Sequence, residues 1–193
     1  MSNLYIAVIH YPIYNKHREV IATSVNNLEL HDVARCCMTF GIKMCYIVTP
    51  LVRQRIIMER LIEHWRNGYG ADYNPVRAQA LNTITMRESL EAVIEEIKGD
   101  GKLFIVGTSS KDRPHKVIGF EEMRTVIHDK QRHVLMLFGT GWGLTDETIG
   151  LCDRMLEPIV GSGDYNHLSL RVALGIIIDR ILGKRGGNDE RNN

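Results

Sequence analysis

The chain has 193 residues, 44% hydrophobic and 24% charged, with a formal net charge of +1. That length suits one domain with a sizeable core. The near-neutral balance gives no bulk signal for a polyanion, so any nucleic-acid contact must come from a local cluster. The four cysteines, Cys36, Cys37, Cys45 and Cys152, make no CxxC pair, and the eight histidines show no HExxH or Cys/His ligand spacing. Reduced thiols, a cytoplasmic setting and no metal are expected.

In chain order, "LYIAVIH" at 4–10 is short, apolar and β-branched, a buried strand. It lacks the basic lead and cleavage-type ending of a signal peptide. No apolar run approaches the ~20 residues that span a bilayer, so no membrane partner is expected. Residues 11–27 show no clean period and read as a long loop. Leu30, Val33, Ala34 and Cys37 keep helical spacing, with Gly41 placed as a C-cap. "IKMCYIV" at 42–48 is a second strand. Residues 51–66 read as a helix presenting Ile57, Leu61 and Trp65 on one face, and "NGYGADYNP" is a turn-rich break. "LNTIT" at 81–85 is a short strand. Thr85 and Glu88 have capping-box spacing before Leu90, Val93, Ile94 and Ile97.

"KLFIVGTSS" is a strand running into a small-residue loop, followed by a helix over 119–130 and the strand "HVLMLF". "LEPIVGSGDYNHLS" is another strand end and loop. The last helix, 167–182, is apolar almost all round, which predicts burial in the core or in a subunit interface. The tail 184–193 is polar and glycine-rich, and disorder is expected there. Strands alternating with helices predict an α/β protein, one domain over 1–183, with a mostly parallel sheet and helices on both faces.

Three strand ends carry small residues: Gly107-Thr108-Ser109, the run Gly139-Thr140-Gly141-Trp142-Gly143, and Gly161-Ser162-Gly163. Ligands of open α/β sheets bind beyond the carboxyl ends of strands. A dinucleotide fingerprint does not fit, because GTGWG comes late and its third glycine is misplaced; a Walker loop is absent. The loops suit a ligand read by backbone hydrogen bonds.

"LFIVGTSS", "LMLFGTGWGL" and "LEPIVGSGDYNHLSLRVALGIIIDRIL" resemble the three successive C-terminal motifs of the SPOUT superfamily of RNA methyltransferases. The resemblance covers roughly residues 1–183 and is most specific in the third motif. It implies a C-terminal deep trefoil knot, a homodimer, and S-adenosylmethionine as methyl donor. It also implies methyl transfer to a ribose 2′-O or a base nitrogen of a structured RNA, tRNA or rRNA. The donor site it implies comprises Gly107, Thr108 and Ser109; Phe138, Gly139, Thr140, Gly141, Trp142 and Gly143; Ile159, Val160 and Gly161; and Asn166, His167, Leu168 and Ser169. Trp142 either covers that site, packs on a partner subunit, or is a plain packing residue.

"NNLELHDVARCCMTFGI" resembles an N-terminal motif in which many members carry an asparagine and, six positions on, an arginine. Arg35 falls on the arginine; Glu29 stands at the asparagine, with Asn27 two residues earlier. Arg35 is thereby the first catalytic candidate, for RNA phosphate or for activating the nucleophile. Asp32 is placed to orient it through an i, i+3 pair. Asn166 is a candidate cap of the last helix, and His167 a candidate general base. For RNA contact, Lys111, Arg113, His115 and Lys116 cluster in one loop, while Arg53, Arg55, Arg60 and Arg66 form a basic helix flank. The rival function is a knotted regulator that binds the donor or a nucleotide without catalysis.

Overall fold

The structure, a computed structural model, describes residues 3–99, 101–111, 116–129 and 131–184. Strand β1 (Leu4–Ile9) is buried along its whole length. It shows no apolar/polar alternation because both faces of a parallel sheet are packed. Leu4, Ile6 and Val8 enter one core layer, and Tyr5, Ala7 and Ile9 the other.

Around β1 the described residues build a seven-stranded sheet. Its order is β5 (Ile84–Arg87), β4 (Met44–Val48), β1, β8 (Arg132–Gly139), β6 (Lys102–Gly107), β9 (Arg154–Leu156) and β7 (Val117–Ile118). Every pairing in it is parallel. The central register sets Ile9 opposite both Val48 and Gly139, so these strand ends lie side by side.

One face packs on α1 (Asn27–Phe40), α2 (Val52–Asn67), α4 (Pro75–Leu81), α6 (Phe120–His128) and α8 (Leu170–Leu182). The other packs on α5 (Leu90–Lys98) and the segment containing α7 (Asp146–Gly150). Helix α1 keeps the expected inward residues Leu30, Val33, Ala34 and Cys37. Asn26 caps it, and Gly41 ends it in the left-handed region at φ 67, donating to the carbonyls of Cys37 and Met38.

Several sequence expectations shift. The loop 11–27 contains a cis Tyr11–Pro12 bond and a small hairpin, β2 (Ile13–Tyr14) against β3 (Val20–Ile21). The break at 67–75 is largely helical. It holds α3 (Tyr69–Tyr73), and Pro75 then opens α4 under an Asn74 cap, which accepts from the Arg77 N–H. The strand expected at 81–85 is Ile84–Arg87, so Thr85 is sheet and the cap of α5 is Ser89, accepting from the Ala92 N–H at 3.2 Å. Helix α2 turns Met58, Leu61, Ile62 and Trp65 inward, leaving Ile57 57% exposed. Helix α8 starts at Leu170, not 167, and sends Leu174, Ile177, Ile178 and Ile181 into the core while Val172 stays 49% exposed. Apart from Lys184, the tail lies outside the described residues.

Arg66 joins the helical layer to the sheet, and His31 joins helices within that layer. Arg66 of α2 donates to the Leu81 carbonyl through Nε and Nη2, at 3.1 and 2.6 Å, and through Nη2 to the Ile84 carbonyl. These acceptors end α4 and begin β5. His31 of α1 sits edge-on to Trp65 at 5.5 Å, and the Arg77 guanidinium covers the Trp65 ring at 4.5 Å. Burial first, then the Arg77 charge, lowers the His31 pKa below its ordinary value.

Arg66→Met should cost about 2 kcal/mol, because it strands partly buried carbonyls; denaturant unfolding measures it, and a change within error would refute the brace. Because the folded His31 pKa lies below the unfolded one, the unfolded chain binds more protons between the two values. The neutral ring's contribution is present above the ordinary histidine value and lost as pH falls through the folded one. The thermal midpoint should therefore drop more from about pH 7.5 to about pH 5 in the wild type than in His31→Phe. Equal drops would remove His31 from the acid response.

Candidate functional site

Because all strands run one way, their carboxyl ends share one edge, and a cleft of about 390 Å³ opens there. Its walls come from the loop after β6, the loop after β8, the 157–169 segment, the start of α8, and Glu29 on the first turn of α1.

The loop after β6 starts from a fixed point, because Thr108 donates twice to the Leu137 carbonyl, from its N–H at 3.0 Å and its hydroxyl at 2.9 Å. Thr108, Ser109 and Lys111 line the cleft. Gly107 does not; a Cβ there would meet Met155 Sδ at 2.6 Å and Cys152 Sγ at 2.9 Å, so core packing requires the glycine.

The glycine run after β8 answers to its own chain as well as to the cleft. A Cβ at Gly139 would strike the Leu144 N at 2.7 Å. Gly141, at φ 56, has Ile13 Cδ1 at 2.6 Å and the Tyr14 carbonyl at 3.1 Å from the same hypothetical atom. Gly143 needs φ 99, and its Cβ direction is open. The hairpin braces the run: the Trp142 N–H donates to the Tyr14 carbonyl at 2.9 Å, and the Tyr14 N–H to the Gly143 carbonyl at 3.0 Å. Phe138 and the whole run Gly139–Gly143 border the cleft, with Trp142 61% exposed.

From the 157–169 segment, Ile159, Asn166, His167, Leu168 and Ser169 face the cleft; Val160 is 73% exposed and, like Gly161, outside it. Asn166 does not cap α8. Its Nδ2 donates to the Ser110 carbonyl at 2.9 Å and ties this segment to the loop after β6, while Ser169 holds the N-cap position. His167 is exposed and packs edge-on against Tyr165 at 5.4 Å. Glu157 also lines the cleft and accepts from the Phe120 N–H at 2.6 Å, closing the start of α6.

The floor carries a polar chain that sequence reasoning missed. His10, directly after β1, is 1% exposed, and its Nε2 lies 2.7 Å from Glu29 Oε1. Its Nδ1 lies 3.0 Å from Thr23 Oγ1, which is 2.6 Å from Thr140 Oγ1; that hydroxyl is 3.0 Å from the Ile9 carbonyl. Glu29, standing at the family's asparagine, was the only available signal, and burial is not readable from one position.

The expected Asp32–Arg35 pair does not form. Where α8 crosses α1, Arg171 Nη1 donates to Asp32 Oδ2 at 2.6 Å. Arg35 is exposed on α1, outside the cleft, and makes no hydrogen bond or ion pair with a described residue. Of the basic flank, Arg66 is taken by carbonyls and Arg55 by the Thr49 carbonyl at 2.9 Å, leaving Arg53 and Arg60 exposed on α2. Lys116 is exposed at φ 59; Arg113 and His115 lie outside the described residues.

Burial pushes the Cys36 and Cys152 thiols up to about 12, so neither is a thiolate nucleophile at neutral pH. Among the described residues no group of three His, Cys, Asp or Glu is placed to hold a metal, and no helix is long and apolar enough to cross a membrane.

This cleft stands beside known proteins as follows. The chain is 39% identical over 183 residues to the tRNA (guanine-N(1)-)-methyltransferase of Oleidesulfovibrio alaskensis, matching 94% of this chain but only 42% of that protein. It is 36% identical to an uncharacterized protein of Aquifex aeolicus, covering 95% of this chain and 90% of that one. Its fold is that of the A. aeolicus TrmH/SpoU tRNA modifying enzyme, with a TM-score of 0.56 at 18% identity over 94% of this chain and 75% of that one. Residues 3–183 match the family model described as SAM-dependent RNA methyltransferase, and the chain belongs to that family.

Proposed function

We propose that the cleft holds S-adenosylmethionine and that the chain methylates a nucleotide of tRNA. The observation that carries this reading is the convergence of three loops on one cleft at the strand ends. Its volume, about 390 Å³, falls in the range of small-molecule sites. The lining chemistry fits a nucleoside-bearing ligand: Phe138, Leu144, Ile159 and Leu168 are apolar, and Ser109 and Asn166 supply polar groups. When bound, the donor supplies an electrophilic methyl carbon.

The protein's task is then to hold an acceptor nucleotide in line with that carbon. The hairpin and the Asn166–Ser110 bond keep the walls fixed before any ligand arrives. Exposed Trp142 at the rim suits stacking on a base. Exposed Lys111, which also lines the cleft, suits phosphate, and the exposed Arg53, Arg35 and Lys116 are further candidates for RNA contact. The tRNA substrate comes into this reading from the named relative; the guanine N1 atom does not, because the chain spans 42% of that enzyme.

The reading includes a homodimer. The Asp32–Arg171 bond joins α1 to α8, and Leu28 lies one turn before Asp32. Leu28 of α1, Leu168 before α8 and Val172 of α8 stay 59, 43 and 49% exposed, apolar side chains suited to cover by a second copy. It also includes the knot that the resemblance implies, and a reducing compartment, which four free cysteines favour.

Calorimetry in chelator should give micromolar binding of S-adenosylmethionine. Nucleoside mass spectrometry of tRNA from cells with and without the gene should reveal one methylated nucleoside lost. Binding with unaltered RNA would favour the non-catalytic regulator instead. Arg35→Ala should leave donor affinity unchanged, weaken tRNA binding and lower its logarithmic salt slope by about 0.9 if one phosphate contact is lost. An unaltered affinity and salt slope would take Arg35 out of the RNA surface.

A further inference from the structure

We infer that Glu29 is the proton acceptor for the methylated nucleotide, and that the buried chain His10, Thr23 and Thr140 holds its carboxylate in place. The inference rests on the methyltransferase reading above. It also narrows the substrate class to an acceptor atom that carries a proton, an N–H or a 2′-O–H.

Among the described residues, Glu29 is the one carboxylate of the cleft held against a buried imidazole. Its residue is 9% exposed, yet it contributes to the cleft wall. Oε1 faces His10 Nε2 at 2.7 Å, while Oε2 makes no hydrogen bond with a described residue. Its place on the first turn of α1 puts it in the positive end of the helix dipole, where an anion is favoured. Glu157, the other carboxylate of the wall, is tied through Oε1 to the Phe120 N–H at the start of α6.

Counting hydrogens along the chain gives two arrangements. In the first, His10 is neutral. The Thr140 hydroxyl donates to Thr23, Thr23 donates to His10 Nδ1, and Nε2–H donates to Glu29. The Ile9 carbonyl still receives the Thr140 N–H at 3.1 Å. In the second, the chain holds one more proton. Both imidazole N–H groups donate, to Glu29 and to Thr23. Thr23 now donates to Thr140, and the Thr140 hydroxyl to the Ile9 carbonyl at 3.0 Å. Two hydroxyl rotations separate the states, and every buried donor keeps a partner in both. In both, Nε2–H stays on Glu29 Oε1, so the chain holds the carboxylate whichever way its hydroxyls point and leaves Oε2 to take the proton.

The step balances. The acceptor's N–H or O–H proton passes to Glu29 Oε2 and is held there, while the Nε2–H of His10 stays on Oε1. The lone pair left on the acceptor forms the new bond to the methyl carbon. The carbon–sulfur bond breaks, and its electron pair stays on sulfur, which becomes a neutral thioether. The stored proton then leaves to water.

The test uses the full chain, total tRNA from cells lacking the gene, and methyl-labelled S-adenosylmethionine under single turnover. Glu29→Gln keeps an acceptor for His10 Nε2–H but takes up no proton. Its rate should fall ~100-fold or more, with the donor and its demethylated product each binding within about threefold of wild type. Formate should partly restore the rate of Glu29→Gly. Should either variant fold poorly, Thr23→Val tests the support of Glu29: its rate should drop about tenfold at unchanged product affinity, and Thr23→Ser should restore it. A wild-type rate in Glu29→Gln or in Thr23→Val overturns the inference. So does a Glu29→Gln that loses affinity for the sulfonium donor alone, which would make the carboxylate a charge partner. A wild type that labels no RNA overturns the methyltransferase reading and this inference with it.

Discussion

Parallel pairing is the constraint on which the rest depends. Seven strands that all run one way must all end at one edge. Ile9 lies beside both Val48 and Gly139, so segments far apart in sequence meet within one strand spacing. His10 emerges there from β1, Thr140 from β8 and Thr108 from β6. A cleft at that edge follows from topology before any side chain is chosen.

The side chains then decide how rigid it is. The glycine-rich run looks permissive, yet two of its glycines are required by neighbouring atoms of the same protein, and the Tyr14 hairpin holds its backbone at two points. A wall built this way loses little freedom when a ligand docks, which is the physical content of a preformed site. The polar floor works similarly. Thr140 belongs to the glycine run and His10 to the sheet, so one hydrogen-bonded chain fixes loop, strand and helix α1 relative to each other.

What was readable in the sequence follows from what periodicity encodes. The strands at 4–10, 42–48 and 133–138 announced themselves because burial on both faces demands unbroken apolar runs. Helix α1 did so because its inward residues repeat and Gly41 closes it. The segment 67–75 misled because Gly, Asn and Pro serve both turns and helix caps; Asn74 and Pro75 here start a helix. Thr85 has capping-box spacing, but strand pairing with Tyr46 overrides it, and Ser89 is the cap. Two of the three glycine motifs, at 107–109 and 139–143, border the cleft, and Gly161-Ser162-Gly163 does not. Gly107 failed as a lining residue because its neighbours are Met155 and Cys152 of the core, which no local pattern encodes. Asp32 was drawn toward Arg35 by helical spacing, whereas its partner, Arg171, lies 139 residues away. The Glu29–His10 contact was likewise invisible, since it joins a strand end to a helix start across a loop with no period.

The ends of the sheet have a consequence of their own. Its outer strands are β5, with 4 residues, and β7, with 2. Unpaired edges invite strand addition from another chain, and short ones offer too few backbone groups to seed it. Growth of the sheet from copy to copy is thereby discouraged at both margins. A second copy would then have the helical surfaces to pack on, where a two-fold contact closes on itself instead of propagating into fibres.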